Sequence, residues 1–304
     1  MTASLAQIFL GRCFQLFVRH LTEFFATPGF CLSLKNIPPF LNDENLVDLP
    51  PEADLERRFS SLARLYGSAG AQRIRHAHVV VVGLGGVGSW AAEALARSGV
   101  ARLSLIDLDH IAESNINRQV HALDTTVGQA KVQAMRDRIL HINPTCQVDC
   151  VEAFADTGNW PAIAGLDQLF DHSQTAVIDA CDQVRAKTAM AAWAVQNKAI
   201  FITVGAAGGK RLAHKVDIDD LAAVTHDPLL AQLRYRLRKE HGVARDKKMN
   251  VTCVFSREAV LQPDASARTD GSLNCHGYGS VVSVTSTFGV CAAGWVIGKF
   301  SESA

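Results

Sequence analysis

Val79-Val80-Val81-Val82 runs without a break into Gly83-Leu84-Gly85-Gly86-Val87-Gly88, and this junction constrains the fold more than any other stretch. A β-branched run of this kind reads as a buried strand. The glycines let the chain turn sharply into a helix and bring backbone close to phosphate oxygens that a Cβ would obstruct. A helix starting near Gly86 would offer unpaired N–H groups and the positive end of its dipole to an anion. Asp107 closes the next apolar run, Leu103-Ser104-Leu105-Ile106, where its carboxylate can accept hydrogen bonds from ribose hydroxyls. Alone, this pattern suits NAD, FAD or ATP equally.

The residues that follow favour ATP. Ser114-Asn115-Ile116-Asn117-Arg118-Gln119 and Gly128-Gln129-Ala130-Lys131 bring an amide and two cations to the same sheet edge. Attack at an α-phosphate builds negative charge on the departing β- and γ-phosphates, and fixed cations stabilise it. A guanidinium matches phosphate geometry with two donors, while a lysine acts as a point charge. Ala176-Val177-Ile178-Asp179-Ala180-Cys181-Asp182 reads as another buried strand ending in acids, a place where Mg²⁺ bridging phosphates would sit. The plainer alternatives are that Arg118 and Lys131 are solvated charges and that Asp182 caps the helix near Gln183. A nicotinamide oxidoreductase remains open, but it would leave Arg118, Lys131 and Asp182 without a task.

The ordered series GxGGxG, D-x-D, S-N-x-x-R-Q, G-x-x-K and D-x-x-D, from Gly83 to Asp182, resembles the ubiquitin-activating-type adenylyltransferases. The resemblance implies that Gly83, Gly85, Gly86 and Gly88 shape the ATP loop and that Asp107 holds the ribose. It implies further that Asn115, Arg118, Gln119 and Lys131 hold phosphates, with Arg118, Lys131 and Asp182 carrying the chemistry and Asp182 on Mg²⁺. One branch is most similar, the tRNA threonylcarbamoyladenosine dehydratases. Its likeness extends from Ala63-Arg64-Leu65-Tyr66-Gly67 to Val204-Gly205-Ala206-Ala207-Gly208-Gly209, His226-Asp227-Pro228-Leu229 and Cys253-Val254-Phe255-Ser256. Such enzymes adenylate the threonyl carboxylate of a modified adenosine beside the anticodon, and ring closure then expels the activating group. The implied partners are tRNA carrying threonylcarbamoyladenosine and a second copy of the chain, in a homodimer.

Two departures separate the chain from parts of this family. Many relatives carry an arginine that reaches into the neighbouring subunit's ATP site; aligned through Arg64-Leu65-Tyr66-Gly67, that position is Ser61. A contact across subunits would fall to Arg58 or Arg64. Enzymes that activate a ubiquitin-like sulfur-carrier protein commonly hold zinc with C-x-x-C pairs, and none of the 8 cysteines here makes one. That disfavours a sulfur-transfer or carrier-protein partner, the second reading of the chain. Cys275, beside His276 in a loop-like segment, is the candidate reactive thiol, whereas Cys253 lies in a strand-like run where a small hydrophobe is ordinary.

The remaining sequence sets the domain plan. With 304 residues and 48% hydrophobic content the chain can bury a full core. Strand-like segments at 147–154, 177–180 and 199–204 alternate with helical ones at 128–142 and 183–197. The expected class is therefore α/β: a Rossmann-like, doubly wound, mostly parallel sheet with an irregular α+β C-terminal substrate lobe. We divide the chain into an N-terminal extension and linker (1–52), an adenylation core (53–209) and the C-terminal lobe with a core or interface helix (210–304). Net charge is zero, so global electrostatics point to no nucleic acid. Locally, Arg234, Arg236, Arg238 and Lys239, followed by Arg245, Lys247 and Lys248, form a basic run with Tyr235, a candidate tRNA contact. It reads equally as the wet face of an amphipathic helix. Residues 279–300 reach membrane-helix length, yet their Ser, Thr and Gly content suits a buried helix better. No stable membrane insertion is expected, and dispersed cysteines without an export signal fit the cytoplasm.

Overall fold

Each strand of the sheet is five residues long, and the central ones alternate their side chains between two separate hydrophobic cores. The computed structural model describes residues 53–168, 172–243, 245–262 and 278–302. The 1–52 extension and Cys275 lie outside them. An entry helix α1 (Leu55–His76), kinked at Gly67, leads to β1 (His78–Val82), α2 (Gly88–Arg97) and β2 (Arg102–Ile106). Then come α3 (Lys131–Ile142), β3 (Gln147–Val151), β4 (Thr175–Asp179), α4 (Val184–Asn197) and β5 (Ile200–Val204). The chain continues through β6 (Val216–Asp220), α5 (Pro228–Glu240), β7 (Thr252–Ser256) and α6 (Val282–Glu302).

The seven strands lie in the order β3-β2-β1-β4-β5-β7-β6. Every pairing is parallel except β6 with β7. Val79 and Val81 point into one core with α2, α3 and α6, while Val80 and Val82 point into the other with α4 and α5. This explains the unbroken valine run: a strand covered on both faces has no position for a polar residue. All four are at most 2% exposed, and burying each contributes roughly 1.5–3 kcal/mol. The expected α/β, Rossmann-like, mostly parallel sheet is therefore what forms. The 210–304 segment supplies an antiparallel strand pair and two helices, and it adds its strands to the same sheet.

Helix α6 is a core element. Val284, Phe288, Ala292, Ala293, Val296 and Phe300 are fully buried. Gly289 lets it press against α2, where a Cβ would stand 2.3 Å from the Val87 carbonyl oxygen. Among the described residues no helix is long and apolar enough to cross a membrane.

Candidate functional site

Strand order reverses between β1 and β4, because β2 and β3 continue to one side and β5 and β7 to the other. In an open α/β sheet such a switch point leaves a crevice at the carboxyl ends of the strands. A cavity of about 430 Å³ opens there. Its floor is the turn out of β1. Gly83 sits at φ +87°, and a Cβ on Gly88 would fall 1.8 Å from the Gly83 carbonyl oxygen, so strand and helix approach too closely for any side chain. Gly83, Gly85 and Gly86 line the cavity. Gly88 lies beneath it and serves the packing of the turn.

Asp107 lines the cavity and also ties its floor together. One carboxylate oxygen accepts from the Leu84 N–H at 2.6 Å and the other from the Asp109 N–H at 2.8 Å. Burial raises its pKa, against the opposing pull of Lys131 and these two N–H groups. Each oxygen has further acceptor capacity for a hydroxyl donor.

The two expected cations and Gln119 line the same cavity. Arg118 is held by donating to the Ser114 carbonyl at 2.6 Å and to Asn117 Oδ1 at 3.1 Å. Lys131 starts α3 and donates to Asp109 Oδ2 at 2.8 Å. Gln119 is buried, with its Oε1 unpartnered. Asn115 is placed otherwise. It is 1% exposed and sits behind the wall, where its Oδ1 accepts from the Ala112 N–H at 3.1 Å. Its carbonyl accepts from the Arg118 and Gln119 N–H groups. It builds the turn that presents those two residues, and its Nδ2 is buried with no partner among the described residues.

Asp182 is exposed on the rim of the cavity, and among the described residues its one hydrogen bond is from the Gln183 amide at 3.3 Å. It does not cap α4, whose N-cap residue is Gln183. Behind it, Lys187 and Asp179 form a sealed pair at 3.0 Å, both 0% exposed, with Thr203 Oγ1 3.0 Å from the ammonium. The Cys181 thiol also lines the cavity and donates to Asp179 Oδ1 at 3.1 Å. Burial, with Asp179 beside it, drives the Cys181 pKa well up, so it stays a thiol. Cys253 is buried in β7, and burial raises its pKa in the same way.

The opposite wall joins Phe154, which no motif marked, to the 204–209 and 226–229 segments of the family likeness. Phe154, 56% exposed just after β3, borders the cavity near Asp107. Gly205 through Gly208, after β5, and the start of α5 face it from across the crevice. Asp227 clamps these two segments, accepting from the Ala206 and Leu230 N–H groups at 2.9 Å each. The 2%-exposed Lys210 adds a second clamp, donating to the His226 carbonyl at 3.0 Å and the Glu258 carbonyl at 2.8 Å. Glycine-rich composition after a strand was the available signal here.

The basic run divides on α5. Arg234 turns inward to the Leu221 and Val224 carbonyls at 3.0 and 2.8 Å, which corrects its expected place on a tRNA-facing surface. The cause is the unpaired carbonyls of the turn after β6, which lie within its reach. Arg236 pairs with Glu240 at 2.8 Å, and Arg238 donates to the Arg245 carbonyl at 3.2 Å. Lys239 lies over the Tyr235 ring, 5.8 Å from its centroid.

Comparison with known proteins agrees with this geometry. Residues 58–301 match the ThiF family model. The chain is 41% identical over 260 residues to the tRNA threonylcarbamoyladenosine dehydratase of Escherichia coli, covering 82% of this chain and 95% of that protein. It is 39% identical over 249 residues to the dehydratase of the same name from Haemophilus influenzae, covering 80% of this chain and 93% of that one. A crystal structure of the E. coli enzyme in complex with ATP superposes with a TM-score of 0.72 at 41% identity, covering 82% and 96% of the two chains.

Proposed function

This chain belongs to the ThiF family, and from that premise we propose that it is an ATP-dependent dehydratase of threonylcarbamoyladenosine in tRNA. The observation that carries the reading is the convergence of Asp107, Arg118, Lys131 and Asp182 on one cavity at the switch point. In this reading a threonyl carboxylate oxygen bonds to the α-phosphorus of ATP as the bond to pyrophosphate breaks. A carbamoyl heteroatom of the same modification then closes on the acyl carbon. AMP departs with the carboxylate oxygen, and the nucleoside has lost one water. The ring closure is intramolecular, so enforced proximity supplies much of its rate and no protein thiol is required.

The residues divide the work by position. Asp107 orients the ribose, while Arg118 and Lys131 face the charge that grows on pyrophosphate as it leaves. Lys131 has three donors and can keep Asp109 while reaching a phosphate. Asp182 fits a Mg²⁺ site, because its carboxylate is exposed on the cavity rim with only the neighbouring Gln183 amide on one oxygen among the described residues. Mg²⁺ commonly needs only one or two carboxylates beside phosphates and waters. Bound there, the ion would add positive charge to the phosphates. Among the described residues no group of three His, Cys, Asp or Glu could hold a metal by itself, so the nucleotide would complete the site.

We place the enzyme in the cytoplasm with its tRNA, as a homodimer. Arg58 is engaged with the Ile142 carbonyl at 2.7 Å, which leaves the exposed Arg64 to reach a neighbouring subunit. The decisive experiment incubates the protein with ATP, Mg²⁺ and tRNA bearing threonylcarbamoyladenosine, followed by gentle digestion and nucleoside mass measurement. Loss of one water only when ATP is present is the expected result. An unchanged mass from a protein that still binds ATP would move the assignment to a carrier-protein substrate.

A further inference from the structure

Helix α5 begins in the cavity wall and leaves it along the protein surface. Pro228, Leu229 and Gln232 line the cavity, while Leu230, Leu233 and Leu237 fix the opposite face with no exposed surface. Helical spacing puts Gln232, Tyr235 and Lys239 in one row leading outward. The row spans roughly 10 Å at 1.5 Å per residue, the scale of a neighbouring nucleotide.

Within this row the ring of Tyr235 is 64% exposed. Its flank is not apolar: Gln232 lies on one side, and Lys239 Nζ stands 5.8 Å from the ring centroid on the other. The arginines of the same helix already have protein partners, so Lys239 is the cation of the run that the helix leaves to a ligand. Beyond the helix, Arg245, Lys247 and Lys248 are exposed and extend the positive surface. An open aromatic face next to an exposed cation, continuous with a nucleoside-sized cavity, matches how single-stranded nucleic acid is bound. A protein partner would favour large apolar neighbours around the ring, whereas its row neighbours are Gln232 and Lys239, with the small Ala231 beside them.

We propose that this face of α5 binds the RNA strand adjoining the modified nucleoside, with Tyr235 stacking on a flanking base and Lys239 meeting its phosphate. The proposal deepens the dehydratase reading and rests on it for the identity of the RNA.

The test is fluorescence anisotropy of a labelled anticodon stem-loop with the full-length protein, alongside ATP binding to confirm an intact fold. Tyr235→Ala is expected to weaken stem-loop binding about ten-fold, the size of one lost base stack, with ATP binding unchanged. Tyr235→Phe keeps the ring and should bind like the parent. Lys239→Ala should lower the salt dependence of binding by about 0.7 in log–log slope, the value for one single-strand phosphate contact. Unchanged affinity in Tyr235→Ala, or equal loss in Tyr235→Phe, would overturn the stacking role. A parent protein that dehydrates the nucleoside but does not hold the stem-loop would overturn the strand assignment. One that holds the stem-loop through Tyr235 but never changes the nucleoside mass would support it and remove the dehydratase reading instead.

Discussion

Two lysine–aspartate pairs flank the cavity, one at the end of β2 and one at the end of β4, and their surroundings give them different tasks. Lys131 and Asp109 meet at 2.8 Å, with the aspartate side chain 45% exposed. Lys187 and Asp179 meet at 3.0 Å with both side chains sealed from water. Burial alone would favour the neutral lysine, but the Asp179 charge more than offsets it and the Lys187 pKa is raised. Water and phosphate oxygens can replace part of what Asp109 gives Lys131. Nothing at the site can replace Asp179 for Lys187. The open pair is therefore suited to exchanging partners during a reaction, and the sealed pair holds the strand end from which Cys181 and Asp182 project.

Breaking the sealed pair should have the largest effect on stability. Lys187→Ala leaves an unpaired carboxylate in the core and should cost about 3–5 kcal/mol of unfolding free energy, read by urea denaturation. A loss below ~1 kcal/mol would mean that the two pairs are equivalent. Lys131→Ala should do the reverse. Turnover should fall about 100- to 1000-fold, as when one preorganised donor to a transition state is removed. Its stability should fall less than that of Lys187→Ala, because the Asp109 carboxylate left behind is 45% exposed and stays hydrated. Unfolding of this variant in the same urea titration would erase the distinction. Asp182→Ala sharpens the comparison at the rim: Mg²⁺ should no longer strengthen ATP binding, a loss of at least about ten-fold in metal affinity, while ATP binding without metal stays put. An unchanged Mg²⁺ titration would remove Asp182 from that role.

A pH-dependent effect on stability concerns His121, which is 1% exposed with neither ring nitrogen partnered among the described residues. Burial first, then Lys131 and Arg138, lowers its pKa from 6.5 to about 3. The unfolded chain thus binds the proton before the folded one does. Stability should fall as pH drops below 6.5 and keep falling toward about 3, at up to about 1.4 kcal/mol per pH unit for each such group. His78, lowered to about 4 mainly by burial and by Arg102, shares this behaviour over most of the window. His121→Gln should flatten the slope without abolishing it, as measured by urea midpoints at stepped pH. An unaltered slope would show that His121 is already paired in solution.

The nucleotide wall was readable because its parts are short-range. Four valines before a glycine loop specify a doubly covered strand and a tight turn, and the structure shows both. Arg118, Lys131 and Asp182 follow as functional types at strand ends, and all three line the cavity. Asn115 shared their motif but is not in the cavity lining: its Oδ1 takes the Ala112 N–H, and its Nδ2 has no partner among the described residues. Phe154 carries no motif and reaches the site because β3 ends at the same sheet edge as β1. Pro228 and Leu229 at the start of α5 are instead held there by Asp227, which bridges the Ala206 and Leu230 N–H groups.

Sequence by itself therefore determined the sheet, the glycine floor and the chemical types around it, since these depend on backbone sterics and on the period of apolar residues. Only the tertiary structure decided which charges remain available. Arg234, Lys187 and Lys210 look like any other basic residue in the chain, yet each is committed to carbonyl or carboxylate oxygens brought near by distant segments. Asp182 and Lys239 keep capacity for a ligand because they are exposed, and Lys131 keeps it because it lines the cavity beside the half-exposed Asp109. Partner choice depends on what folding places within about 3 Å of a charged group, and a linear pattern does not encode that distance.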